Sequence, residues 1–286
     1  MMSERLNKPG AVSVRPAIML SRHPLLLLAM TACQVAAANP VWKKDLASPS
    51  PGSFPPIPSS ILDFQVSWKG IINSGKVRME FAPIEAKKPG VLVVRSSATS
   101  LGPAAAFYPY QANSWVELDP ATLKPRFCHS VETDKSETVI TTSRYLKNSM
   151  ECHETTTPNG KQTGVTKDRT FTFSPIFEIF SAILHVRSQK LADGDTIHLV
   201  VHPFNNPYLL HVKVLGHEKH LDRKTIRLSV GMRKIDRETF ELKAYKKIKR
   251  DATLWLSDDA DRIPVELRAA VFVGDIRATI TGFRKL

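Results

Sequence analysis

The sequence predicts a mainly β protein: a curved antiparallel sheet, built as a half-open β-barrel or a sandwich, with one covering α-helix. Three observations carry this. The stretch 253–286 alternates with period two. Val265, Leu267, Ala269, Val271 and Val273 stand against Glu266, Arg268, Ala270 and Phe272, and then Ile276, Ala278 and Ile280 against Arg277, Thr279 and Thr281. Such alternation puts one set of side chains in a core and the other toward water. Similar short runs recur along the chain with turn residues between them, the pattern of sandwiches and strongly curved sheets. Only the region 174–194 carries apolar residues at helical spacing with a start and a stop signal.

Taken in order, the chain begins with a targeting segment. Arg22-His23 precede the apolar run 24–32, which is short for a bilayer span and exits through Val35-Ala36-Ala37-Ala38. Residues 1–38 are therefore expected to be a signal peptide, cut after Ala38, with Met19 as an alternative start. A second reading takes Met30-Thr31-Ala32-Cys33 as a lipoprotein signal with Cys33 lipidated. Both place the protein outside the cytoplasm, in the periplasm or at the outer membrane. Residues 39–60 are rich in Pro and Ser and poor in apolar residues, which predicts an extended linker. Residues 61–286 then suit a single β-rich domain.

Within that domain the strand signals lie at 62–69, 75–82, 91–99, 107–118, 124–131, 137–145, 169–173, 196–201, 208–215, 224–232, 253–257, 263–273 and 275–283. Gly274-Asp275 is placed as the turn of the last hairpin, because Gly takes positive φ without steric cost. For the helix, Ser174 is a natural N-cap and Pro175 suits the first helical position. Phe177, Phe180, Ile183 and Leu184 follow at helical spacing, and Asp193-Gly194 marks the exit. This helix is expected to pack into the concave side of the sheet.

Composition narrows the partners. The 286-residue chain carries a formal charge of +13; residues 1–38 hold four Lys/Arg and one Glu, so the remainder keeps +10. In an envelope compartment a basic surface suits anionic headgroups or glycans, and an exported chain does not meet nucleic acid. The basic run Lys243, Lys246, Lys247, Lys249 and Arg250 reads as an exposed ribbon or as an edge guarded against aggregation. Cys128 and Cys152 form an even pair in an oxidising compartment, and a disulfide between them would contribute about 3 kcal/mol.

Signs of chemistry are sparse. His198, His202, His211, His217 and His220 crowd one region, but no carboxylate falls beside them at metal-ligand spacing. Asp258, Asp259 and Asp261 suit a turn in which Asp caps its own backbone better than a calcium loop. No nucleophile signature occurs, so no catalytic residue, cofactor or metal is assigned. Aromatic residues on strands and helix remain. Trp68, Phe107, Tyr108, Trp115 and Trp255, with Phe177, Phe180 and Leu184 on the helix, are the candidate lining of an apolar cavity.

Several motifs resemble a known family in order and spacing. These are Phe64-Gln65-Val66-Ser67-Trp68-Lys69-Gly70-Ile71-Ile72-Asn73-Ser74-Gly75, Ala105-Ala106-Phe107-Tyr108, Ser114-Trp115-Val116-Glu117, Thr122-Leu123-Lys124-Pro125-Arg126-Phe127, and Leu191-Ala192-Asp193-Gly194-Asp195-Thr196. With Trp255-Leu256-Ser257-Asp258-Asp259-Ala260 and the C-terminal hairpin, they resemble the domain of unknown function 3108 family. The pattern departs at 133–170, which is longer, and at His220-Leu221-Asp222-Arg223-Lys224. The resemblance implies an exported bacterial envelope protein of no established chemistry. The expected architecture is similar to that of periplasmic lipoprotein carriers, which bind acyl chains in an unclosed barrel. The leading expectation is a non-catalytic protein that binds a lipid or an envelope partner between sheet and helix. The alternatives are an assembly protein acting through a basic outer face, and a hydrolase.

Overall fold

The computed structural model describes residues 40–48, 50–82, 88–203, 206–244, 250–271 and 274–286. The expected signal segment 1–38, Cys33 and residues 245–249 of the basic run lie outside the described residues. Among the described residues fifteen strands form one antiparallel sheet. The first eight are β1 (Ser60–Trp68), β2 (Ile72–Phe81), β3 (Leu92–Ser100), β4 (Gln111–Leu118), β5 (Pro125–Thr133), β6 (Glu137–Tyr145), β7 (Met150–Pro158) and β8 (Val165–Phe171). The rest are β9 (Thr196–Val201), β10 (Tyr208–His220), β11 (Arg223–Ile235), β12 (Leu242–Ala244), β13 (Ala252–Ser257), β14 (Pro264–Val271) and β15 (Gly274–Lys285). Helix α1 (Gly102–Phe107) joins β3 to β4, and α2 (Ile179–Ser188) joins β8 to β9.

The order across the sheet is β8-β7-β6-β5-β4-β3-β2-β1-β15-β14-β13-β11-β10-β9, with β12 added on β11. The chain thus starts mid-sheet, meanders to the β8 edge, crosses by α2 to the opposite edge, and meanders back until β15 pairs with β1. Sequence alternation becomes two faces. Leu62, Phe64, Phe81, Val94, Val116 and Leu118 turn inward and meet Leu184 and Phe180 of α2. Leu199, Val201, Leu210, Val212, Leu228 and Leu256 turn inward to meet Phe177, Ala182 and Val186.

A third apolar cluster explains how the sheet finishes. Register runs Val116, Cys128, Ser143, Cys152 across β4 to β7, so Cys152 belongs to the inner face. Val200 and Leu209 are register partners, each next along its strand to the inward Leu199 and Leu210, so they point outward. Yet Met150, Cys152 and Phe171 pack with Val200, Leu209 and Ile235. The inner face of the β7–β8 end therefore lies on the outer face of the β9–β11 end. The sheet is rolled like a scroll past its own edge. Strands β8 and β9 are not paired with each other among the described residues; a parallel bridge of Phe177 with Val201 takes that edge of β9.

Six expectations need correction. Gly274 and Asp275 lie within β15, opposite Val271 and Ala270, so they are strand residues and not the turn of the hairpin. Phe107 is not the start of a strand but the end of α1. Strand β7 has no counterpart among the expected strands. Its outward positions are Glu, His and Thr, and only Met150 and Cys152 mark a buried side.

Helix α2 begins at Ile179, not at Pro175, because Phe177 is held in extended pairing with β9: its N–H donates to Val200 O at 2.8 Å, and its carbonyl accepts from His202 N at 3.0 Å. Cys128 and Cys152 are both free. They share Ser143 as register partner on the intervening β6, so two inter-strand spacings, roughly 9.5 Å, separate their Cα atoms. A disulfide needs less than about 7 Å.

The segment 40–60 is not a free tether either. Trp42 Nε1 donates to Phe240 O at 3.0 Å, Ala47 N to His198 O at 2.9 Å, and Phe54 N to Ser188 O at 3.0 Å.

Candidate apolar binding cavity

Helix α2 is fixed at both ends. Glu178 is its N-cap: the carboxylate accepts from Phe180 N at 2.8 Å and Ser181 N at 3.2 Å, while Ser181 Oγ accepts from Glu178 N at 2.7 Å. This is a capping box with acid and hydroxyl exchanged, and it satisfies N–H groups the helix itself cannot pair. Burial pushes the Glu178 carboxyl up to about 7 against those donors, which pull the other way.

At the other end, Arg262 Nη1 donates to the carbonyls of Arg187 at 2.9 Å and Gln189 at 2.5 Å. Arg187 in turn donates to Pro55 O at 2.7 Å and Asp261 O at 2.8 Å. Phe54 lies under the Arg262 guanidinium, 3.7 Å from its ring centroid. Gly52 passes so close that a Cβ there would stand 2.2 Å from Ser188 O. The acidic turn supplies this clamp, since Asp259 Oδ1 accepts from Asp261 N, Arg262 N and Ser257 Oγ. The turn is structural, as its spacing suggests.

Between α2 and the inner face lies a cavity of about 370 Å³. Phe64 and Val77 form one wall, Leu228, Leu256 and Leu267 the other, and Ala182 of α2 the roof. Every lining residue is apolar. The volume falls within the range of small-molecule sites, and a cavity with such walls offers water no hydrogen bond. Ala182 and Leu256 are buried, whereas Leu267 is exposed and marks the mouth.

None of the eight expected lining residues borders this cavity. Phe177 is fully buried with His185 and the β9 core. Phe180 and Leu184 face the other apolar cluster. Trp115 is on the outer face under Arg95, and Trp255 is on the outer face stacked on His220 at 4.2 Å. Trp68, Phe107 and Tyr108 are exposed at one end of the sheet. The true wall is mostly aliphatic. Its signal was the shared parity of Leu210 and Val212, Leu228 and Val230, and Leu254 and Leu256, which an aromatic search passes over.

The histidines do not converge. His198 and His211 stack on each other at 4.7 Å, and His217 bonds Asp258 at 2.9 Å. His220 pairs with buried Glu266, which also holds Arg268. Burial raises the Glu266 carboxyl, but those two partners outweigh it and leave it lowered. Among the described residues no three His, Cys, Asp or Glu side chains are grouped to hold a metal.

The model of the family described as protein of unknown function DUF3108 matches residues 63–281, most of the chain. The chain belongs to the DUF3108 family. No curated protein matches it. Among solved structures, this DUF3108 protein is similar to a beta-barrel-like protein of domain of unknown function DUF1849 from Brucella abortus. The identity is 8%, the TM-score 0.50, and the match covers 79% of this chain and 97% of that chain. The likeness shows the fold alone. A protein of YmcC-like fold from Bacteroides fragilis matches at 6% identity and TM-score 0.27, over 82% of this chain and all of that one.

Proposed function

We propose that this DUF3108 protein is a non-catalytic envelope protein that binds a single apolar chain, such as the acyl tail of a lipid, between α2 and the inner face of the sheet. The observation that carries the reading is the wholly apolar lining of a cavity of about 370 Å³ beneath a helix anchored at both ends. Such a site gains affinity from apolar area and offers a headgroup no polar partner, so the headgroup stays at the mouth. Export to the periplasm or outer-membrane face is part of the proposal and rests on the sequence of residues 1–38.

The test is native mass spectrometry of the mature protein purified gently from its own envelope. A co-purifying mass in the lipid range is the expected result. Ala182→Trp, which fills the roof of the cavity, should lower the bound fraction at least tenfold while leaving the circular dichroism of the fold intact. A clean apo mass, with no uptake of a fluorescent fatty acid, would favour the alternative of an assembly protein working through its outer face.

A further inference from the structure

Three of the residues expected in the cavity, Trp68, Phe107 and Tyr108, lie outside it at one end of the sheet. Ile71 is 82% exposed at the β1–β2 turn, and Phe107 is 81% exposed at the end of α1. The two tips are neighbours: Leu101, just before α1, donates its N–H to Ser74 O of β2 at 2.9 Å. Ile72, Leu101, Trp68 and Tyr108 are exposed around them. A single exposed aliphatic residue means little, but adjoining loop tips that share large apolar side chains do.

The edges of this patch have the chemistry of a membrane interface. Lys69 Nζ lies 4.9 Å from the Trp68 ring, an amphipathic pair that can place its rings among lipid and its ammonium among phosphates. Tyr108 and Tyr110 stack, and their hydroxyls donate to Asp134 and Glu132. The patch is also continuous with the cavity mouth. Ala269, which lines the cavity, is the register partner of Ile276. Ile276 is the partner of Trp68, and Trp68 of Ile72. An unbroken row of apolar side chains leads from mouth to tip.

We propose that the rim made by the β1–β2 turn and α1 docks into the interfacial layer of a lipid bilayer, so that an acyl chain passes along the Ile72–Trp68–Ile276–Ala269 row to the cavity; this route rests on the cavity reading above, whereas docking does not. The rim inserts by apolar burial, with Lys69 at headgroup level.

The experiment is co-sedimentation of the mature protein with phosphatidylethanolamine–phosphatidylglycerol vesicles, compared for wild type, Ile71→Asp and Phe107→Ser, with fluorescent fatty acid uptake measured on the same samples without vesicles. Both positions are exposed, so the variants should fold normally. Each substitution should lower vesicle partition at least about tenfold, leaving uptake from solution unchanged. Wild-type protein that does not sediment, or sediments equally in both variants, overturns docking while leaving the cavity reading standing if uptake persists. Loss of uptake in the vesicle-free arm with partition retained would sink the cavity reading instead. Dimerisation in place of vesicle binding, abolished by Ile71→Asp, would assign the rim to a second copy and also overturn the proposal.

Discussion

Glu178 is a carboxyl buried at the N-cap of α2, with a pKa raised to about 7 from 4.5. Between those values the folded protein holds a proton that the unfolded chain has released, so this residue's contribution falls as pH rises through that window. His185 and His202 act in the opposite sense. Burial lowers them to about 4 and about 3 from 6.5, so their contribution is present above 6.5 and is lost as pH falls toward the folded values. In the overlap, roughly 4.5 to 6.5, the trends oppose each other, and the two histidines outweigh the one carboxyl. Glu178→Gln keeps an acceptor for the cap and removes one trend. Its stability relative to wild type should therefore rise between pH 5 and pH 8, by a difference on the order of 3 kcal/mol at the limit. Urea unfolding at both pH values measures this, and a pH-independent difference would show that Glu178 is ionised at little cost. Nothing in the sequence flagged Glu178, because an acid at N-cap with Ser at N3 reverses the usual order of a capping box. The Ser174-Pro175 pair imitated a helix start more closely.

For α2 as an element, the C-terminal clamp is the more telling end. Arg262 supplies donors to carbonyls that no residue of the helix can pair, and it covers Phe54. Arg262→Ala should destabilise the protein by about 2–3 kcal/mol, since buried acceptors lose a charged donor. Amide exchange should accelerate first at 186–189 and across 52–55, with the strands still protected. Uniform acceleration everywhere would mean the clamp is not local.

The sequence announced the acidic turn and its structural part, but not the long-range partner. The contact joins residues more than seventy positions apart, and no periodicity encodes that. Strands with one greasy face, such as β11 and β13, were legible because burial is one-sided. Strand β7 was not, because a strand next to the edge that meets only the far end of its own sheet needs few apolar residues to do so. The cavity was legible as a location, between sheet and helix, while its lining was not. Aromatic residues drew the inference toward the outer face and the rim, although the inward positions were already distinguished by parity.

On the scale of the whole molecule, the overlap of the two sheet ends takes the place of a closing ladder. Phe171 is the centre of that overlap, packed on Phe173, Phe240 and His202. Phe171→Ala should cost about 3–5 kcal/mol and loosen the β7–β8 end before the rest, read as early exchange at 150–158. Retained protection there would show that the overlap is held by other contacts. The mainly β class and the curved sheet followed from alternation alone. Rolling past the edge did not, because outward Val200 and Leu209 look in sequence like ordinary buried positions of a strand enclosed on both sides.

A barrel closed by hydrogen bonds has a girth set by strand number and shear. Here the seam is two greasy surfaces lying on each other, and among the described residues β8 and β9 share no ladder across it. On the proposed reading, a seam of side chains lets the bore adjust to guests of different bulk by repacking, within the tether set by the Phe177–Val201 bridge.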